Sequence, residues 1–155
     1  EDIAALDSEG RLPHEGMLYF FGAIDGYLGY ETYTDNGPGE WPKGQFVVKY
    51  AKNINFETFQ SCMLVDDDDL SLTEPEMEME FFACDDDAEI SRILGSPSGE
   101  DVINNHLDHT CLLHLVNNEE IGLNFGEDGI LQTLMKDSDL RFQNWKRTLT
   151  HLSHN

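Results

Sequence analysis

Apolar positions fall into short runs and alternations along this chain, not into long helical stripes. Met17 to Ile24 is a short apolar run closed by Asp25-Gly26, a strong turn pair, and it predicts a buried strand. Tyr27 to Gly44 follows as a loop rich in glycine and aromatics, punctuated by Gly37-Pro38-Gly39 and Trp41-Pro42. Gln45 to Ala51 predicts a second strand, with Phe46 and Val48 on one face and Val47 and Lys49 on the other. Glu76 to Phe82 alternates almost without error. Met77, Met79 and Phe81 share one face, and Glu76, Glu78 and Glu80 share the other. That pattern predicts a half-buried strand with an anionic outer face.

Asp85 to Leu94 predicts a short helix. Asp85, Asp86 and Asp87 sit where a helix start favours carboxylates, Ile90, Ile93 and Leu94 form a stripe, and Gly95 is a stop. Further on, Cys111 to Val116, Ile121 to Phe125 and Ile130 to Met135 predict three short strands. They are joined by turns at Asn117-Asn118-Glu119-Glu120 and Gly126 to Gly129. Trp145 to Leu152, with its threonines and alternating leucines, predicts a last strand. The elements together indicate an α+β, β-rich fold: an antiparallel meander with one or two short helices, in one domain spanning residues 1–155.

Charge changes this picture. The chain of 155 residues carries 31 acidic and 9 basic residues, a formal net charge of −22. Twelve of the acids lie between Asp66 and Glu89, and no Lys or Arg lies between Lys52 and Arg92. Binding of nucleic acid through a basic face is excluded by this balance, because phosphate affinity needs clustered Lys and Arg. No apolar run approaches the roughly 20 residues of a membrane span, so no membrane insertion is expected. Three cysteines (Cys62, Cys84 and Cys111) without a CxxC spacing argue against a disulfide framework and for the reducing cytoplasm. The start, Glu1-Asp2-Ile3, has neither Met nor a basic region; a signal peptide is not expected there, and a processed chain or a portion of a longer protein is.

Several short matches occur in order. They are Leu12-Pro13-x-x-Gly16-x-Leu18-x-Phe20-Phe21, then Ile93-Leu94-Gly95-x-Pro97, then Leu112 to Val116. Ile121, Phe125-Gly126-Glu127-Asp128-Gly129 and Asp139-Leu140 follow. In this order they resemble the YwqG-like family, a bacterial family of unknown function. Glu127 stands where members usually have Asp, Ser96 replaces a usual Tyr, and an N-terminal part typical of members has no counterpart here. The resemblance implies a β-rich fold, with this chain a whole YwqG-like domain or the C-terminal portion of one. It implies no catalytic residues.

Candidate chemistry is sparse. His106, His109, Cys111 and His114 are of zinc-ligand type, but their spacing is not that of a finger, and on a strand Cys111 and His114 are expected to point apart. The aspartate runs 66–69 and 85–87 lack an EF-hand pattern. Pro97 occupies the place of the serine in a would-be nucleophile elbow at Gly95 to Gly99. His14-Glu15 has no second histidine at zincin spacing. Glu127-Asp128 reads as turn chemistry, with unusual dihedrals at Gly126 and Gly129. No catalytic residue, metal or cofactor is therefore assigned.

The acidity is what needs an explanation. Solubility is served by a net charge of about 2–8 in a small domain, and self-repulsion beyond that costs stability. Salt adaptation or a basic partner can offset it. The reading adopted is a soluble, non-enzymatic interaction domain that docks a basic protein. One concrete form is an immunity-type protein that plugs the basic cleft of a nuclease toxin. Its partner-binding residues are Asp66, Asp67, Asp68, Asp69, Glu76, Glu78 and Glu80, with Tyr30 and Trp41 of the aromatic loop as anchors. The competing readings are a metal-assisted hydrolase built on the His or Asp clusters, and a structural portion of a larger YwqG-like protein.

Overall fold

The structure, a computed structural model, describes residues 2–31, 36–53, 77–86 and 89–154. They divide into two compact units, residues 1–17 with 51–83 and residues 18–50 with 84–155.

In the first unit, helix α1 (Asp2–Leu6) ends in a turn in which Gly10 N–H donates to the Asp7 carbonyl at 3.0 Å. The Asp7 carboxylate accepts from Leu12 N–H at 2.7 Å and fixes the chain that follows. Residues 77–83 of this unit form no regular element.

Among the described residues, most regular elements fall in the second unit. Strands β1 (Met17–Gly22) and β3 (Phe46–Ala51) form a two-stranded sheet, where the two apolar runs predict strands. The other sheet has five strands in the order β2-β7-β6-β5-β4, with β2 at Gly39–Glu40 and β4 at Arg92–Ile93. Its centre is an antiparallel meander of β5 (His109–Val116), β6 (Gly129–Lys136) and β7 (Thr148–His154). Helix α2 (Glu100–Asn105) precedes β5 and helix α3 (Asp137–Arg141) follows β6. The fold is thus α+β and β-rich, with mostly antiparallel strands in two open sheets and three short helices among the described residues.

The central sheet is buried on both faces, which is why the residues of β6 do not alternate between buried and exposed. On one face Leu131 and Leu152 meet Trp41, Leu123 and Phe125. On the other, Val102 of α2 covers Cys111 and Leu134, with Leu149 beside them.

Three sequence expectations are corrected. Ile121 to Phe125 is not the middle strand of the meander. Glu119–Ile121 forms a 3-10 turn ended by Gly122 in the left-handed region (φ 68°), and Leu123 and Phe125 drop into the core. One antiparallel bridge remains, in which the backbones of Asn118 and Leu123 exchange bonds at 2.8 and 2.9 Å, and the asparagine side chains add bonds around it. Asn117 Oδ1 accepts from Phe125 N–H at 2.7 Å, Asn117 Nδ2 donates to the Gly126 carbonyl at 2.7 Å, and Asn118 Oδ1 accepts from Glu120 N–H at 2.9 Å. Asp85 to Leu94 is not a helix over its described residues, 85–86 and 89–94, for Arg92 and Ile93 pair with His114 and Leu113 as an edge strand. Leu94 (φ 62°) and Gly95 (φ 140°) then reverse the chain, and Asp86 bonds Ser96 in place of capping a helix. Glu76 to Phe82 is not a strand over its described residues 77–82. Its alternation is sound, but no neighbouring strand pairs with it. Gly129 also differs from expectation: it is needed because a Cβ there would overlap the Phe125 carbonyl, not because of its dihedrals.

Candidate functional site

Among the residues assigned to partner binding, Asp66 to Asp69 and Glu76 lie outside the described residues. Glu78 and Glu80 are exposed, in a strip whose apolar members are exposed too. Met77 is 62%, Met79 73% and Phe82 66% accessible, and Phe81 is also on the surface. Tyr30 is exposed, held at the backbone by Tyr30 N–H donating to the Asp25 carbonyl at 3.0 Å. Trp41 is not a surface anchor. It is 4% accessible in the core, stacked on Tyr27 at 6.0 Å, and its Nε1 donates to the Gly37 carbonyl at 3.0 Å. An indole that fills a core and spends its N–H internally has nothing left to offer a partner.

The strip from Met77 to Phe82 combines two things seldom found together on a surface: adjacent large apolar side chains and carboxylates. None of its backbone N–H or C=O groups bonds to another backbone group among the described residues. It presents both kinds of side chain at the surface.

A polar row missed at the sequence level crosses the central sheet. Register places Arg92 of β4 beside His114 of β5, His114 beside Gln132 of β6, Gln132 beside His151 of β7, and His151 beside Glu40 of β2. All five project from one face, because directly paired residues of antiparallel strands share a side. Gln132 is fully buried. Its Oε1 accepts from Ser98 N–H at 2.6 Å and its Nε2 donates to the Ser98 carbonyl at 2.8 Å. Arg92 Nη2 donates to Ser98 Oγ at 3.1 Å. The row thus ties the segment before α2 onto the sheet.

The same register corrects the zinc-type constellation. Cys111 pairs with Leu134 and Leu113 with Thr133, so Leu112 is an extra residue in a bulge. The bulge returns Cys111 and His114 to the same face, against the expectation that they point apart. Burial pushes the Cys111 thiol up to about 12, and its Sγ donates to the Leu113 carbonyl at 3.4 Å. Burial first, and the Arg92 guanidinium second, lower His114 to about 4, so it is neutral at pH 7. His106 and His109 meet edge to face at 4.8 Å, and burial followed by the His109 charge lowers His106. Burial also lowers His151, against the opposing pull of Glu40 and Asp101. Among the described residues no group of three or more His, Cys, Asp or Glu side chains is placed to hold a metal ion. Nor does any histidine there hydrogen-bond to a serine, threonine or cysteine side chain, the pairing that activates a nucleophile. The buried row is a structural device, and the surface strip is the better candidate for contact with another molecule. No described helix is long and apolar enough to cross a membrane. Compared with protein-family models, with curated proteins and with solved structures, the chain matches none.

Proposed function

We propose that this chain is an interaction domain that docks a basic protein through the strip from Met77 to Phe82. The acids of 66–69 and Glu76 add to the field that attracts the partner. The observation that carries this reading is the exposure of four large apolar side chains beside Glu78 and Glu80. Charge alone would serve solubility. Apolar side chains left in water serve contact, at roughly 1.5–3 kcal/mol for each one fully covered. A partner segment that alternates basic and apolar positions matches both halves of the strip. Two copies of this chain do not meet that description, since each carries −22.

The most concrete form is an immunity-type protein whose carboxylates stand in for phosphates in the cleft of a nuclease toxin. The ordered motifs that resemble those of YwqG-like proteins support a place among them and add no activity.

The test is capture from an extract of the source organism at low salt and at about 1 M salt, where the Debye length is about 3 Å. The wild-type chain is compared with Glu78→Gln/Glu80→Gln and with Met79→Ser/Phe81→Ser. One basic protein should be retained near one to one at low salt, released at high salt, and bound about tenfold more weakly by each variant. Equal retention by both variants, or no basic protein retained, refutes the proposal.

A further inference from the structure

A cleft of about 730 Å³ opens in the second unit beside β3 and the 3-10 turn Trp145–Arg147. Lys43 and Lys146 line it, with the rings of Tyr50 and Trp145. Lys49 also borders it, but its side chain leaves β3 on the face opposite Phe46 and Tyr50, with Nζ over the Phe21 ring at 5.4 Å. No carboxylate of the described residues lines it. At the chain's own composition, the twelve lining residues would include about two acids and fewer than one cation.

Neither the Lys43 nor the Lys146 ammonium is in an ion pair among the described residues. The nearby Asp139 is already engaged: it accepts from Asn144 Nδ2 at 3.1 Å and pairs with Arg147 at 3.6 Å. Trp145 is 8% accessible, its ring lies 6.0 Å from that of Tyr50, and its Nε1 is buried without a hydrogen-bond partner. A buried donor left unpaired is costly, and an acceptor carried in by a ligand would satisfy it. Gln143 and Asn144 add amides to the wall.

We infer that this cleft binds a nucleoside monophosphate. The phosphate dianion sits among the lysines, and the base lies against the aromatic rings, where stacking is worth about 1–3 kcal/mol per base. Two cations match the two charges of a phosphate monoester better than the one charge of a carboxylate, and rings with amides exceed what a bare phosphate needs. The volume lies within the roughly 300–1,000 Å³ of small-molecule sites. A nucleic-acid polymer does not suit a chain whose net charge of −22 repels its phosphates.

The test is isothermal titration of the full chain at low ionic strength with AMP, GMP, CMP and UMP, and with adenosine and inorganic phosphate as the separated halves. At least one nucleotide should bind one to one, with adenosine and phosphate each at least tenfold weaker. Lys43→Gln/Lys146→Gln should weaken that nucleotide at least tenfold while leaving Tm unchanged, since both side chains are exposed. The inference is overturned if none of the four binds at millimolar concentration. It is equally overturned if phosphate binds as tightly as the nucleotide, or if the lysine variant binds as well as the wild type.

Discussion

Replacing His114 by glutamine should remove a loss of stability that the wild-type chain suffers in acid. His114 is 2% accessible and paired in register with Arg92 and Gln132. Burial, and then the Arg92 guanidinium, lower its pKa to about 4, against 6.5 in the unfolded chain. The unfolded chain therefore takes up the proton first. The contribution of the neutral imidazole is complete above pH 6.5, shrinks as pH falls, and is gone below about 4. At 1.36 kcal/mol per pH unit the full difference is about 3 kcal/mol, of which about 2.5 is lost by pH 4.5. The 31 acidic residues titrate over a similar range and relieve their own repulsion, so the absolute stability is a poor readout. They are common to both proteins and cancel in the difference. Urea unfolding, followed by the fluorescence of the two buried tryptophans, gives that difference at each pH and fixed ionic strength. The wild-type advantage over His114→Gln should fall by about 2.5 kcal/mol between pH 7.5 and 4.5. A difference that stays constant over this range refutes the reasoning.

Gln132→Leu keeps the side chain nearly isosteric but makes it apolar and removes both bonds to Ser98. Two lost bonds to a part-buried backbone should cost about 2–4 kcal/mol, seen by calorimetry as a Tm lower by roughly 5–15 °C; a change under about 1 kcal/mol contradicts the tie. Alkylation with iodoacetamide at pH 8, mapped by peptide mass, should label the exposed Cys84 and spare the buried Cys111, whose thiol is held near 12. Labelling of both at one rate would contradict the packing of α2 over β5.

Apolar runs and alternation were sufficient to locate β1, β3 and the three meander strands β5, β6 and β7 to within a few residues, because burial of a sheet face leaves a period of two in the chain. Where side chains replaced backbone partners, the pattern misled. Ile121 to Phe125 looks like a strand, yet Asn117 and Asn118 satisfy its backbone and turn it into the core. Ile90, Ile93 and Leu94 look like a helical stripe, yet pairing with β5 outweighs that local preference. The row from Arg92 to Glu40 draws on five separate segments and exists only once register is known. The bulge at Leu112 has no signature in composition, and it reversed the expected facing of Cys111 and His114. Trp41 shows a further limit: an aromatic residue in a glycine-rich loop fits an anchor and a core plug equally well until its burial is known. The lysines of the cleft lie in distant parts of the chain, and nothing in their neighbourhoods links them.

The central claim concerns the strip from Met77 to Phe82, and hydrogen exchange of its backbone amides tests it most directly. In the free chain these amides should exchange fast, since they are exposed and outside regular structure. In complex with the captured basic protein they should slow together across the strip, with little change in β5 to β7. Amides that exchange equally fast in the complex, with protection appearing elsewhere, would show that the strip is not where the partner docks.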